Sequence, residues 1–272
     1  MGRNNFNHLF LIFASFLFFS CNKIISENKN INKPNASSDL TAVTLSEGLV
    51  AWYPFNGNTD DASGNGNNVI LNKDAVPVAG KNGEPNNAYY FNGASWMRVA
   101  NSSTIGNLSR ITLMTRVKVQ GFYDRKCHAN RIISKGYNDY WKGRYTLDFS
   151  DMLYYNYNGC YEKIKPNYEN FGGSFGDGQA TASGVIDSDY IKRNTWYTLI
   201  YTYDGRYSRL YVDGVLKGIA EITTTFNENT RDLFIGRNED HQYPYFFTGI
   251  IDEIRIYNRA LNISEVNNLS GD

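Results

Sequence analysis

From Leu49 onward the chain is a succession of short runs in which apolar and polar side chains alternate, with turn signals between many of them. The runs are Leu49 to Phe55, Asn68 to Asn72, Ala88 to Val99, Ile111 to Phe122, Arg131 to Lys135 and Tyr145 to Phe149. Met152 to Tyr157, Trp196 to Tyr203, Arg209 to Val212, Val215 to Ala220, Asp232 to Ile235 and Ile250 to Tyr257 follow. Period-two alternation of this kind marks strands buried on one face. Asn56-Gly57, Asn92-Gly93, Asp204-Gly205 and Asp213-Gly214 are dipeptides that close tight hairpins. Many short antiparallel strands with such turns predict an all-β, two-sheet sandwich. Helical spacing occurs only near the end, where Asn262 and Glu265 can form a capping box ahead of Val266 and Leu269. No internal repeat of propeller or solenoid length is visible.

Alternation also assigns faces, because successive strand side chains point to opposite sides. Ile254 and Ile256 fall on one side of the last strand, with Glu253, Arg255 and Tyr257 on the other. Leu210 and Val212 share an inward face, and Arg209 and Tyr211 take the outer one. Asp252 has the parity of Ile254 and Ile256, which predicts a carboxylate on the core side. Such a group is costly unless something neutralises it.

The first residues follow another pattern. Arg3 precedes an apolar run, Leu9 to Phe19, of the length of a signal h-region and short for a bilayer span. Ser20 and Cys21 follow. Residues 1–20 resemble a bacterial lipoprotein signal peptide, with Cys21 as the acylated residue. Phe18 stands where leucine is usual, and an ordinary cleaved signal is the alternative. Two or more acyl chains on Cys21 would anchor the protein stably. Residues 21–45 are rich in Asn, Lys and Ser and carry too little apolar surface to order themselves. They read as a disordered tether, leaving residues 46–272 as the folded domain. The expected location is the cell envelope, as an outer-membrane or cell-surface lipoprotein, with the membrane met only through the anchor.

Three cysteines are present, and setting Cys21 aside leaves Cys127 and Cys160 as an even pair in an oxidising compartment. A disulfide between them would close a loop of about 30 residues, worth roughly 3 kcal/mol in the chain-entropy model. Two free thiols are the alternative. Lys plus Arg and Asp plus Glu are both 27, so no basic field exists to draw nucleic acid. The 21 tyrosines suit strands and wet binding surfaces alike, so they do not separate the two roles.

Several tracts resemble the laminin-G-like branch of the concanavalin A-like jelly rolls. They are Gly48 to Asn67 (GLVAWYPFNGNTDDASGNGN), Tyr89, Phe91 and Gly93, Trp196 to Gly205 (WYTLIYTYDG), Leu210 to Gly214 (LYVDG), Ile235-Gly236-Arg237 and Phe247 to Leu261 (FTGIIDEIRIYNRAL). Ile111 to Val119 departs from the family strand, with Met114-Thr115-Arg116 where an aromatic is usual. The segment from Gly121 to Asp189 departs most, carrying Cys127, Cys160 and the glycine-rich Phe171 to Gly178. The resemblance implies a jelly-roll sandwich and a structural calcium. Asp61, Asn65 and Asp252 are the expected ligands, with backbone carbonyls completing an oxygen shell. The bland alternative is an Asx-turn at Asp61 and a backbone-amide cap at Asp252.

Two loop clusters carry candidate binding chemistry. Tyr137, Tyr140 and Trp141 stand beside Asn138, Asp139 and Lys142, and Tyr243, Tyr245 and Phe246 stand beside His241 and Gln242. Rings flanked by amides and carboxylates suit sugars, which present flat C–H faces edged by hydroxyls. The same rings can instead pack loops onto the sandwich. The branch of jelly-roll hydrolases that the resemblance brings in carries Glu-x-Asp-x-x-Glu on one strand, and no such string occurs. His128 and His241 lie in no nucleophile context. The reading is an envelope-anchored module that recognises a glycan or polysaccharide through Trp141, Tyr140, Tyr137, Tyr243, Tyr245 and His241. An adhesive protein-binding domain is the alternative, and a glycoside hydrolase the more distant one.

Overall fold

The computed structural model describes residues 45–122, 129–136, 143–150, 155–156, 159–160, 170–176, 185–186, 191–221 and 224–271. Their strands form two antiparallel sheets packed as a sandwich. The first runs in the order β15 (Val215–Glu221), β14 (Tyr207–Val212), β13 (Trp196–Tyr203), β6 (Ile111–Gly121), β17 (Thr248–Tyr257), β4 (Ala88–Asn92) and β3 (Val76–Val78). β1 (Leu49–Tyr53) also pairs with β17, along its second half, while β4 takes the first half. The second sheet runs β12 (Val185–Ile186), β11 (Asn170–Gly176), β8 (Arg144–Ser150), β7 (Ala129–Lys135), β16 (Leu233–Ile235), β5 (Trp96–Val99) and β2 (Val69–Lys73). A separate two-stranded hairpin joins β9 (Tyr155–Asn156) to β10 (Gly159–Cys160).

The core is built from alternate residues of both sheets, as predicted. Leu113, Val117, Tyr201 and Ile256 come from the first, and Ile133, Leu147, Phe149 and Ile235 from the second. Rings fill much of it. Phe149 meets Phe171 and Phe247 edge-on, each at 6.0 Å between centroids, and Phe175 stacks on Phe226 at 4.8 Å. β14 and β15 are joined by Asp213-Gly214, both with positive φ, the two-residue turn the dipeptide predicts.

Three expectations change. The run Ala88 to Val99 is two strands in different sheets. Asn92 Oδ1 accepts hydrogen bonds from Ala94 N, Ser95 N and Ser95 Oγ, and this turn carries the chain from one layer to the other. The glycine-rich stretch after residue 169 is a strand, β11. Phe171 and Phe175 point inward, and Gly173 between them leaves room for the Tyr201 ring, since an added Cβ would sit 2.4 Å from Tyr201 Cδ2. In β17 the pairing with β6 shifts between Ile251 and Ile254. This bulge resets the alternation, so Ile251, Ile254 and Ile256 all enter the core and Asp252 leaves the core-side parity expected of it.

Helix is limited to one turn, α1 (Ser103–Gly106), and the C-terminal α2 (Ile263–Gly271). The capping box is made: Glu265 N donates to Asn262 Oδ1, and Asn262 N donates to Glu265 Oε2. Val266 and Leu269 seat α2 on Met114, Ile200, Tyr211 and Tyr257, covering part of the outer face of the first sheet. Of the Met152 to Tyr157 run only Tyr155–Asn156 is described. Cys21 and Cys127 lie outside the described residues, and of Cys160 only the backbone is described.

Candidate functional site on the outer face of the second sheet

The outer face of the second sheet carries a polar row set by register. Ser174 of β11 lies opposite Thr146 of β8, Thr146 opposite Ser134 of β7, Ser134 opposite Phe234 of β16, and Phe234 opposite Arg98 of β5. Thr146 and Ser174 share a hydrogen bond of 2.8 Å, and Ser134 Oγ donates to Asn238 Oδ1 at 3.1 Å. In the neighbouring row Arg131 and Asp148, paired across β7 and β8, form an ion pair. Ser134, Thr146 and Ser174 are buried, so they organise the face from below.

The loop from Arg237 to Phe246 crosses this face and brings the rings. Asn238 N donates to Pro244 O at 2.6 Å, Phe247 N to Gly236 O at 2.9 Å, and Arg131 N to Tyr245 O at 2.9 Å. Asp240 Oδ1 accepts from Gln242 N and Tyr243 N. Asn238 Nδ2 donates to Tyr243 O. The loop is thus fixed by its own backbone. Tyr245, at φ +46°, adopts a left-handed conformation uncommon for a non-glycine residue. Tyr243 and Tyr245 stack at 6.1 Å, and the Arg131 guanidinium lies 5.5 Å from the Tyr245 ring.

A second cluster adjoins it. Arg237 stands over Trp96, Phe234 and Phe246, at 5.1, 5.6 and 5.5 Å from their rings. Burial lowers the guanidinium below its ordinary value, and Asp240 and Glu239 pull the other way. Arg98 reaches Asp232 at 3.6 Å. Trp96 and Arg98 alternate with Met97 and Val99, which are core.

Of the expected binding residues, Tyr243 and Tyr245 come together, and His241 is exposed in the same loop. Tyr245 is 6% exposed and supports the pair, whereas Tyr243 offers the accessible ring. Tyr137, Tyr140 and Trp141 lie outside the described residues. Sequence reading missed Trp96, Arg98, Phe234 and Arg237. The parity of Trp96 and Arg98 against Met97 and Val99 was the available signal.

The expected calcium ligands engage separate protein partners. Asp61 accepts from Trp52 N and Ser63 N through Oδ1, and from Asn67 N and Ser63 Oγ through Oδ2. The bond to Ser63 N is the Asx-turn. Asn65 Nδ2 donates to Leu49 O and Ser63 Oγ. Asp252 Oδ2 accepts from Lys81 N at 2.6 Å, and Gly80 lets that segment approach. Burial raises the Asp252 carboxyl above its ordinary value despite the Lys81 amide and Arg116. Among the described residues no three His, Cys, Asp or Glu side chains converge as a metal site. As placed, Asp61 makes the Asx-turn and Asp252 takes the Lys81 amide.

Solved structures with the same fold include domain 4 of AbnA, an extracellular arabinanase of Geobacillus stearothermophilus, in complex with arabinotriose. It is 20% identical, with TM-score 0.59 over 82% of this chain and 98% of that one. The binding domain of Paraclostridial Mosquitocidal Protein 1 is 18% identical, with TM-score 0.61 over 83% of this chain and 52% of that one. The receptor binding domain of botulinum neurotoxin type G is 18% identical, with TM-score 0.58 over 83% and 51%. This chain thus spans about half the length of the two toxin domains. No curated protein sequence matches. Residues 131–267 match a laminin-G family model of the concanavalin A-like lectin/glucanases superfamily, and the chain belongs to that family.

Proposed function

We propose that this protein is a binding module that recognises a glycan through the loop from Arg237 to Phe246. The observation that carries the reading is the fixed presentation of Tyr243, stacked on a Tyr245 that is itself held by Arg131. A ring already held in place loses little freedom when a ligand docks on it. Sugars need a flat apolar face with hydrogen-bonding groups at its edge. Tyr243 supplies the face, and the exposed His241 and Gln242 supply polar groups beside it. Ser134, buried in the sheet below, ties the loop to it through Asn238. The arabinotriose complex of a same-fold domain supports this reading by analogy of architecture.

A glycan array tests it, with wild type beside Tyr243→Ala and with thermal melts as a folding control. The expected result is a defined sugar signal for wild type that falls about tenfold in the variant, a loss of about 1.4 kcal/mol. A blank array with wild type, or an unchanged signal in the variant, overturns the reading. Capture of a defined protein partner alongside a blank array points to the adhesive alternative.

A further inference from the structure

The outer face of the first sheet carries its own transverse rows. One lies under α2: Tyr211, Ile200 and Met114 are cross-strand partners and are buried beneath Val266 and Leu269. Beyond it, Glu253 takes hydrogen bonds from Trp52 Nε1, Arg116 and Arg255 at 2.6 to 2.7 Å. Beyond that network α2 does not reach, and a further row crosses five strands without a break. Trp196 of β13 lies opposite Lys118 of β6, Lys118 opposite Ile250 of β17, Ile250 opposite Tyr90 of β4, and Tyr90 opposite Val76 of β3. Trp196, Lys118 and Tyr90 are partly exposed, and Val76 is 48% exposed. At about 4.8 Å between strands the row is roughly 19 Å long. Trp196 and Tyr90 flank Lys118 and the buried Ile250, and Val76 ends the row.

Charge says what it fits. Lys118 has no carboxylate within ion-pair reach among the described residues, and its Nζ lies 5.1 Å from the Trp196 ring. Lys192 and Arg193 are exposed just before Trp196 and likewise have no acidic partner there. Asn194 N donates to Val119 O, which holds this segment against β6, and Arg193 stacks on Phe122 at 4.4 Å. The acid nearest the row along β17, Asp252, accepts from the Lys81 amide. Lys118 in the row, with Lys192 and Arg193 in the segment just before Trp196, thus gives one end of the strip three cations with no counter-charge among the described residues.

We infer that this row is a second binding surface, for an extended anionic polysaccharide whose sugar faces lie on Trp196 and Tyr90 while its acidic groups meet Lys118, Lys192 and Arg193. It lies on the opposite sheet from the Tyr243 loop and does not depend on it. Salt screens these exposed cations from the acidic groups of the polymer, so binding weakens as salt rises.

The test is affinity electrophoresis of the full chain in gels holding polygalacturonate, dextran sulfate or neutral arabinan, at low and high salt. Polygalacturonate separates recognition of carboxylates from that of sulfates, and retardation by either supports the inference. Lys118→Gln is expected to weaken retardation several-fold and flatten its salt dependence, and Tyr90→Ala to weaken it about tenfold. Lys118→Gln reads this surface and Tyr243→Ala on the glycan array reads the loop, so failure here and failure of the loop site are separate results. Should Tyr90→Ala not fold, the surface change Lys118→Gln decides. Arabinan retardation that Lys118→Gln lowers as much as it lowers that of the acidic polymers, no retardation by either acidic polymer, or indifference to Lys118→Gln overturns the inference. So does a Lys118-dependent self-association that accounts for the exposed strip.

Discussion

Lys135 shows how one side chain can be placed against its own preference. It ends β7 with its side chain fully buried, its Nζ donating to Asn101 Oδ1 at 2.7 Å and to the Arg231 carbonyl. These bonds tie the segment before β16 to the turn before α1. Burial lowers its pKa from 10.5 to about 8, although Asp232, Glu239 and Glu228 pull it back. The unfolded chain therefore binds more protons than the folded one between about pH 8 and 10.5. Stability owed to this group rises across that window, and the full cost of the buried charge is felt below pH 8. Replacing Lys135 by Met removes the titration. Urea melts over this range should show native protein gaining on Lys135→Met by about 3 kcal/mol at most. A gap that stays flat with pH would mean Lys135 does not titrate in the folded state. Alternation puts Lys135 on the inward side with Ile133 but cannot show what satisfies its ammonium, because its partners arrive from residues 101 and 231.

At the scale of elements, local chemistry was legible where its partners are close in sequence. The capping box of α2 joins residues three apart, and Glu265 is further held by Arg259 at 2.7 and 2.9 Å. Burial alone would raise the Glu265 carboxyl. Arg259 and the Asn262 amide outweigh it and hold the group below its ordinary value. The Asp213-Gly214 hairpin was legible for the same reason. β11 and β17 were read less well, because their form depends on other strands. Gly173 weakens a strand on propensity, yet it is the place where Tyr201 of the opposite sheet fills the core. Gly173→Ala should lower stability by about 1–3 kcal/mol, as overpacking does, with a matching drop in Tm by calorimetry. Wild-type stability in that variant would mean the Tyr201 ring moves aside freely. The bulge in β17 is likewise invisible locally, since it is a mismatch of count against β6.

For the whole molecule, two stacked antiparallel sheets present two different outer faces, one crossed by a fixed aromatic loop and one partly covered by α2. Residues 1–45 are proposed to hold this module at the envelope through Cys21. Metabolic labelling with a palmitate analogue should mark wild type and spare Cys21→Ala, and label persisting in the variant would remove the anchor. Although Asn56-Gly57 and Asn92-Gly93 join strands of different sheets, the sequence by itself determined the all-β class, the hairpins at Asp204-Gly205 and Asp213-Gly214, the capped terminal helix and the inward residues of most strands. These follow from alternation and turn chemistry, which act over a few residues. Only the tertiary structure decided that Ala88 to Val99 divides between sheets, that Asp252 leaves the core side, that Tyr243 rests on a ring held by Arg131, and that Trp196, Lys118, Ile250, Tyr90 and Val76 form one line. Each of these is a matter of register between strands far apart in sequence, and register is settled by packing across the whole sandwich.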